Sequence, residues 1–153
     1  MKDYDEPMND QRSIKIHTEA DFDGMRKAGR LAAETMDYVI PFVKPGVTTD
    51  ELNTLCHDFI IDHGATPSPL NYRGFPKSIC TSINHVVCHG IPGDRKLVDG
   101  DIMNIDVTVT LDGWFGDHSR MVPAGKAGVK ARKLIDATFE AMWAGIRAVK
   151  PGA

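Results

Sequence analysis

The segment GDIMNIDVTVTLDGWFGDHSRMV, residues 100–122, alternates polar and apolar side chains on both sides of an Asp-Gly pair. In an extended strand Met103, Ile105, Val107, Val109 and Leu111 face one way, and Ile102, Asn104, Asp106, Thr108 and Thr110 the other. Asp112-Gly113 is a favoured pair for a two-residue hairpin turn, because both central positions need positive φ. With that turn Leu111 opposes Trp114, Thr108 opposes Asp117, and Asp106 opposes Ser119. Asp106 and Asp117 then share one face on a diagonal, with Cα atoms about 7–8 Å apart and side chains free to converge. A three-residue loop would shift the register by one and send the two acids to opposite faces.

Carboxylates are depleted from strands, so two on one face of a hairpin require a reason. Close carboxylates repel and raise a pKa unless cations intervene. A pair of metal ions about 3.5–4 Å apart would suit this spacing. A hairpin face turned to solvent also carries acids, and Asn104, Thr108 and Ser119 fit either situation. Spacing alone leaves both readings open.

Working outward, the bulk numbers narrow the setting. With 153 residues, 42% hydrophobic and 25% charged, the chain has the content of one globular domain or half of a larger one. Its net charge of −3 and pI near 6.0 exclude the basic footprint of nucleic-acid or anionic-membrane binding. No apolar run approaches the roughly 20 residues that span a bilayer. The N-terminal MKDYDEPMNDQRSIKIH lacks the apolar core of a secretory signal. Cys56, Cys80 and Cys88 are an odd set without a CxxC pair, read as free thiols of a reducing cytoplasm. Residues 1–13 read as a flexible arm and 14–153 as the folded part.

Three amphipathic helices flank the hairpin segment. The first follows Thr18, an N-cap with Asp21 in the first turn, and carries Met25, Ala28, Leu31, Ala32, Met36, Val39, Ile40 and Val43 at helical spacing. Gly29 and Pro41 weaken it locally, and Lys44-Pro45-Gly46 ends it. A second opens at Thr49 as N-cap, presents Leu52, Leu55, Cys56, Phe59 and Ile60, and stops at Gly64. KSICTSIN and HVVCHGIP read as short strands or loop edges. The third helix, Val129 to Val149, places Leu134, Ile135, Thr138, Met142, Ile146 and Val149 on an inner face. AETMDYVIPFVKPG (33–46) aligns without gaps on FEAMWAGIRAVKPG (139–152), which reads as an internal duplication, although an amphipathic helix can also end in Lys-Pro-Gly by coincidence.

NYRGFPKSICTSIN, VVCHGIP, DGDIMNIDVTV and DGWFGDHSRM, in this order and spacing, together resemble type I methionine aminopeptidases, and the resemblance runs from about Thr18 to the end. It implies the N-terminal half of an α/β pita-bread fold, a curved antiparallel sheet packed against amphipathic helices. It also implies hydrolytic removal of the initiator methionine, with a small uncharged second residue preferred. The implied cofactors are two divalent ions, of Co, Mn, Fe or Zn, with Asp106 as the first Asp ligand and Asp117 as the bridging one. His89 matches the histidine beside the scissile bond, and Tyr72, Phe75 and Cys80 match the methionine pocket, where sulfur–aromatic contacts are favourable. Nascent polypeptide N-termini, including at the ribosome, are the implied partners, and a monomer the implied state of the full-length enzyme.

The His and two Glu that complete the family's ligand set have no counterpart in these residues. Weak metal binding and little activity are therefore expected of this chain alone. His57 and His63 read as surface or hydrogen-bonded residues, His118 as lying on the face opposite the acids, and Cys88 as a packed thiol. Arg73 and His85 receive no role. A prolidase- or aminopeptidase P-like peptidase of the same fold, or a non-catalytic module, are the alternatives. NYRGFPKSIC and VCHGIP argue against the first, and the joint presence of Asp106, Asp117 and His89 against the second.

Overall fold

The computed structural model describes residues 14–153; the arm expected at 1–13 lies outside them. Helix α1 spans Glu19–Val39 and opens with a capping box: Thr18 N–H donates to the Asp21 carboxylate at 2.8 Å, and Asp21 N–H to Thr18 Oγ1 at 3.4 Å. That arrangement satisfies two of the N–H groups a helix start leaves unpaired. The helix runs through Gly29 but stops before Pro41, where Ile40–Phe42 tightens into a 3₁₀ turn. Met25, expected on the inner face, is exposed.

Helix α2 covers Thr49–Asp62, and its N-cap is Thr48 rather than Thr49. Thr48 has an acid three residues later, and its N–H donates to Glu51 at 2.7 Å. Thr49 is thereby released to hold a distant loop, its hydroxyl donating to the Gly93 carbonyl at 3.1 Å.

The sheet is built on the predicted hairpin. Strand β3 (Ile102–Leu111) pairs along its length with β4 (Trp114–Pro123). On the other edge of β3 lie two short antiparallel strands, β1 (Thr66–Pro67) and β2 (Cys80–Ile83). KSICTSIN therefore supplies a strand, whereas HVVCHGIP runs as a loop along it. The hairpin register is the one read from the sequence, Leu111 opposite Trp114 and Asp106 opposite Ser119. Its turn has Asp112 at φ 51° and Gly113 at φ 81°, which only the primed turn types require.

One face of β3 is the core. Met103, Ile105, Val107 and Val109 are fully buried and cluster with Leu31, Ala32, Met36 and Val39 of α1 and Leu52, Cys56 and Ile60 of α2. Each large aliphatic buried this way contributes roughly 1.5–3 kcal/mol. The other face, with Asn104, Asp106, Thr108 and Thr110, is only half-buried.

Helix α3 (Val129–Ala148) departs from expectation. It forms as predicted, but none of its residues is buried, and Leu134, Met142 and Ile146 are about half exposed at 55%, 47% and 50%. Its apolar stripe stays largely exposed, with Ile135, Phe139, Met142 and Trp143 bordering an open cavity against His118, Arg120 and Met121 of β4.

Candidate active site

Strand pairing brings the chemistry to the half-buried face of β3. Asp106 is opposite Ser119 and Thr108 opposite Asp117, so the two acids share a face on the diagonal, with Cα atoms about 7–8 Å apart. On the other edge, Cys80 of β2 stands directly across from Asp106 and is therefore on the same face. Loop 84–92 then doubles back along β2. Thr81 N–H donates to the Gly90 carbonyl at 2.8 Å, and Gly90 N–H to Ser82 Oγ at 3.1 Å. A Cβ at position 90 would collide with the Thr81 carbonyl, which is why a glycine follows His89. His89 itself takes a left-handed φ of 54°, a conformation that costs a non-glycine residue energy and is tolerated where surroundings impose it.

A 3₁₀ turn at Tyr72–Gly74 borders the same space. An open cavity of about 750 Å³ is lined by all six residues singled out from the sequence: Tyr72, Phe75, Cys80, His89, Asp106 and Asp117. Eight further residues line it; Thr108 was already placed on this face, and the other seven were missed or assigned nothing. Phe115 was accessible to the register logic, since it pairs with Thr110 and so points to the same side. Ser68, whose hydroxyl shares a 2.8 Å hydrogen bond with Thr110, Arg73 and Ile91 sit on irregular segments, where no periodicity reports a face.

Electrostatics inside the cavity are unfavourable to the Asp106 carboxylate. Burial raises the Asp106 pKa and the Asp117 carboxylate adds to that, with His89 opposing. Among the described residues no hydrogen-bond donor offsets the shift. The Cys80 thiol is pushed up to about 11, first by burial and then by Asp106 and Cys88. It therefore stays protonated near neutrality.

Such a pair of carboxylates, lacking protein donors, fits a divalent cation, for which oxygen donors are the usual ligands. Yet among the described residues no cluster of three or more His, Cys, Asp or Glu side chains could hold a metal ion. Two carboxylates by themselves would supply only part of a metal's ligand set.

The remaining histidines lie elsewhere. His57 Nδ1 meets Ser78 Oγ at 2.8 Å, and His63 Nδ1 meets the Phe59 carbonyl at 2.7 Å, so both are satisfied structurally. His118 pairs with Val107 and faces the helices, where burial and Arg120 lower its pKa. Cys88, expected to be packed, is exposed, because its loop runs over the surface of β2 instead of entering the core.

Residues 23–153 match the profile of metallopeptidase family M24, and the chain belongs to that family. It is 64% identical over 141 residues to a methionine aminopeptidase of Rickettsia prowazekii, covering 92% of this chain and 54% of that protein. A methionine aminopeptidase of Escherichia coli (strain K12) is 51% identical, with 92% and 54% covered. The crystal structure of the Rickettsia prowazekii methionine aminopeptidase superposes with a TM-score of 0.91 at 64% identity, covering 92% of this chain and 57% of that one. This chain spans about half the length of the relatives it matches. The pita-bread fold class read from the sequence is the one observed.

Proposed function

We propose that this chain is part of a metal-dependent aminopeptidase that removes the N-terminal methionine from nascent polypeptides when the second residue is small and uncharged. The observation that carries the reading is the placement of Asp106, Asp117 and His89 around one cavity, on a chain so similar to methionine aminopeptidases.

Each residue has a task in that reaction. Asp106 and Asp117 hold part of a divalent metal centre of Co, Mn, Fe or Zn, two ions when the ligand set is complete. Bound there, the cations supply Lewis acidity, polarising the scissile carbonyl and lowering the pKa of water. His89 stands where a ring N–H can donate to the carbonyl oxygen as charge develops on it. Tyr72, Phe75 and Cys80 form a wall suited to a thioether side chain.

This chain alone brings two carboxylates, so it binds metal weakly and turns over slowly. The work belongs in the cytoplasm, on chain ends emerging from the ribosome, with the full-length enzyme a monomer.

The test is release of methionine from Met-Ala-Ser with Mn²⁺, with and without chelator, by the chain alone and mixed with the carboxy-terminal remainder of the Rickettsia prowazekii relative. Release should rise on mixing, vanish with chelator and vanish with Asp106→Asn. Release that survives chelator, or a mixed sample indifferent to Asp106, would refute the assignment.

A further inference from the structure

Arg73 has no part in the reaction as assigned above, yet it lines the same cavity. Its backbone is held at φ 49° and ψ 33°, and Asn71 two residues before is also left-handed at φ 66°. Two such residues in one short turn are costly. The turn is nonetheless tightly bonded within itself: Tyr72 N–H donates to the Pro69 carbonyl at 3.0 Å, Phe75 N–H to Tyr72 at 3.0 Å, and Asn71 N–H to Phe75 at 2.8 Å. These bonds fix the backbone at Arg73, so its side chain starts from a defined point at the cavity edge.

The position along the cavity is informative. Cys80 is buried and Asp106 half-buried at the floor, while Tyr72 and Arg73 are exposed at the lip. The guanidinium lies over the Tyr72 ring at 5.4 Å, a contact that leaves its N–H fork free. Among the described residues no carboxylate approaches it within ion-pair distance. Of the side chains lining the cavity it alone is cationic at every working pH.

A peptide whose first bond reacts at the floor has to leave past the lip. We infer that Arg73 is a specificity-determining residue that reads an acidic side chain on the departing part of the substrate, downstream of the scissile bond. Guanidinium geometry matches a carboxylate with two parallel hydrogen bonds, whereas half-buried Asp106 repels one from the interior of the cavity. The inference rests on the proposed peptidase reading and deepens it.

The experiment measures binding, so it needs no turnover. Fluorescent peptides with an uncleavable ketomethylene link after the first residue are titrated into the chain with Mn²⁺: Met-Ala-Asp-Ser, Met-Ala-Ser-Ser and Met-Ala-Lys-Ser. The aspartate peptide should bind about three- to fivefold more tightly than the serine one, the worth of a partly exposed ion pair, and the lysine peptide least. Salt should erode the difference. Asn tolerates left-handed φ, so Arg73→Asn keeps the turn while removing the charge, and its thermal midpoint reports on folding. Under Arg73→Asn the three peptides should converge, and under Arg73→Glu the order should invert. Equal binding of the three by the wild type, a preference unchanged in Arg73→Asn, or no binding of any peptide overturns the inference. A parallel series with Gly in place of Met reads the peptidase assignment separately. If it binds equally while the aspartate preference persists, methionine recognition fails and the role of Arg73 stands.

Discussion

Cys80 and Asp106 are direct partners across the β2–β3 pair, so a thiol and a carboxylate share the floor of the cavity. Their proximity has a chemical consequence. The thiolate is the reactive form, and burial with Asp106 nearby drives the Cys80 pKa to about 11. Cys56, buried in the core, is pushed to about 12 by burial alone, and Cys88 is exposed. Titration with a disulfide reagent at pH 8 should modify Cys88 rapidly, and Cys56 and Cys80 only after denaturant. Asp106→Asn should accelerate Cys80 somewhat without making it fast, because burial is the larger cause. Rapid labelling of all three thiols in the folded chain would contradict this.

Metal binding should depend on both acids. Isothermal titration with Mn²⁺ or Co²⁺ is expected to give weak binding to the chain, weakened further by Asp106→Asn or Asp117→Asn. In the presence of chelator, Asp106→Asn should raise the melting temperature, since it removes a carboxylate disfavoured first by burial and then by Asp117. Tight binding of two ions per chain would overturn the view that these residues hold only part of the centre.

Asp101 gives the pH dependence. It is buried at 4% exposure. Burial pushes its pKa up, but bonds from Val98 N–H, Asn84 and Arg95 more than reverse this, leaving it below the ordinary 3.8. A depressed carboxyl stabilises the fold above its unfolded pKa, and that contribution fades as pH falls through the folded value. Asp101→Asn should therefore cost about 1–3 kcal/mol at neutral pH. The gap from wild type should close on acidification below the ordinary carboxylate range, as read from urea midpoints across pH.

The turn should control the site at a distance. Gly113 sits at φ 81°, and a β-branched side chain there costs roughly 1–2 kcal/mol. Gly113→Val is expected to lower stability by about that amount and to weaken Mn²⁺ binding as the hairpin loses its register. Unchanged metal affinity in a destabilised but folded variant would show that the acids do not need this turn.

The hairpin was legible from the chain because its information is local. Period-2 alternation and an Asp-Gly pair determine which residues oppose each other, and hence that Asp106 and Asp117 share a face. The same reasoning extends to Phe115, but not to Arg73, Ser68 or Ile91. These reach the cavity on irregular segments, whose direction is imposed by the neighbours they lie against. Thr48 displaced Thr49 as cap for a related reason, since both threonines suit the role and Glu51 is at capping distance from only the first.

The clearest division lies between the two copies of the repeated helix. Met36 and Met142 occupy equivalent places in matching segments, and both segments form helix by their own periodicity. Met36 is fully buried, whereas Met142 is 47% exposed. The sequence by itself determined the helices, the hairpin and its register, because hydrogen-bond periodicity and turn chemistry act over a few residues. Only the tertiary structure decided which apolar face is covered and which loop side chains meet over the acids, because burial requires a second surface and no short stretch of chain specifies where that surface will be.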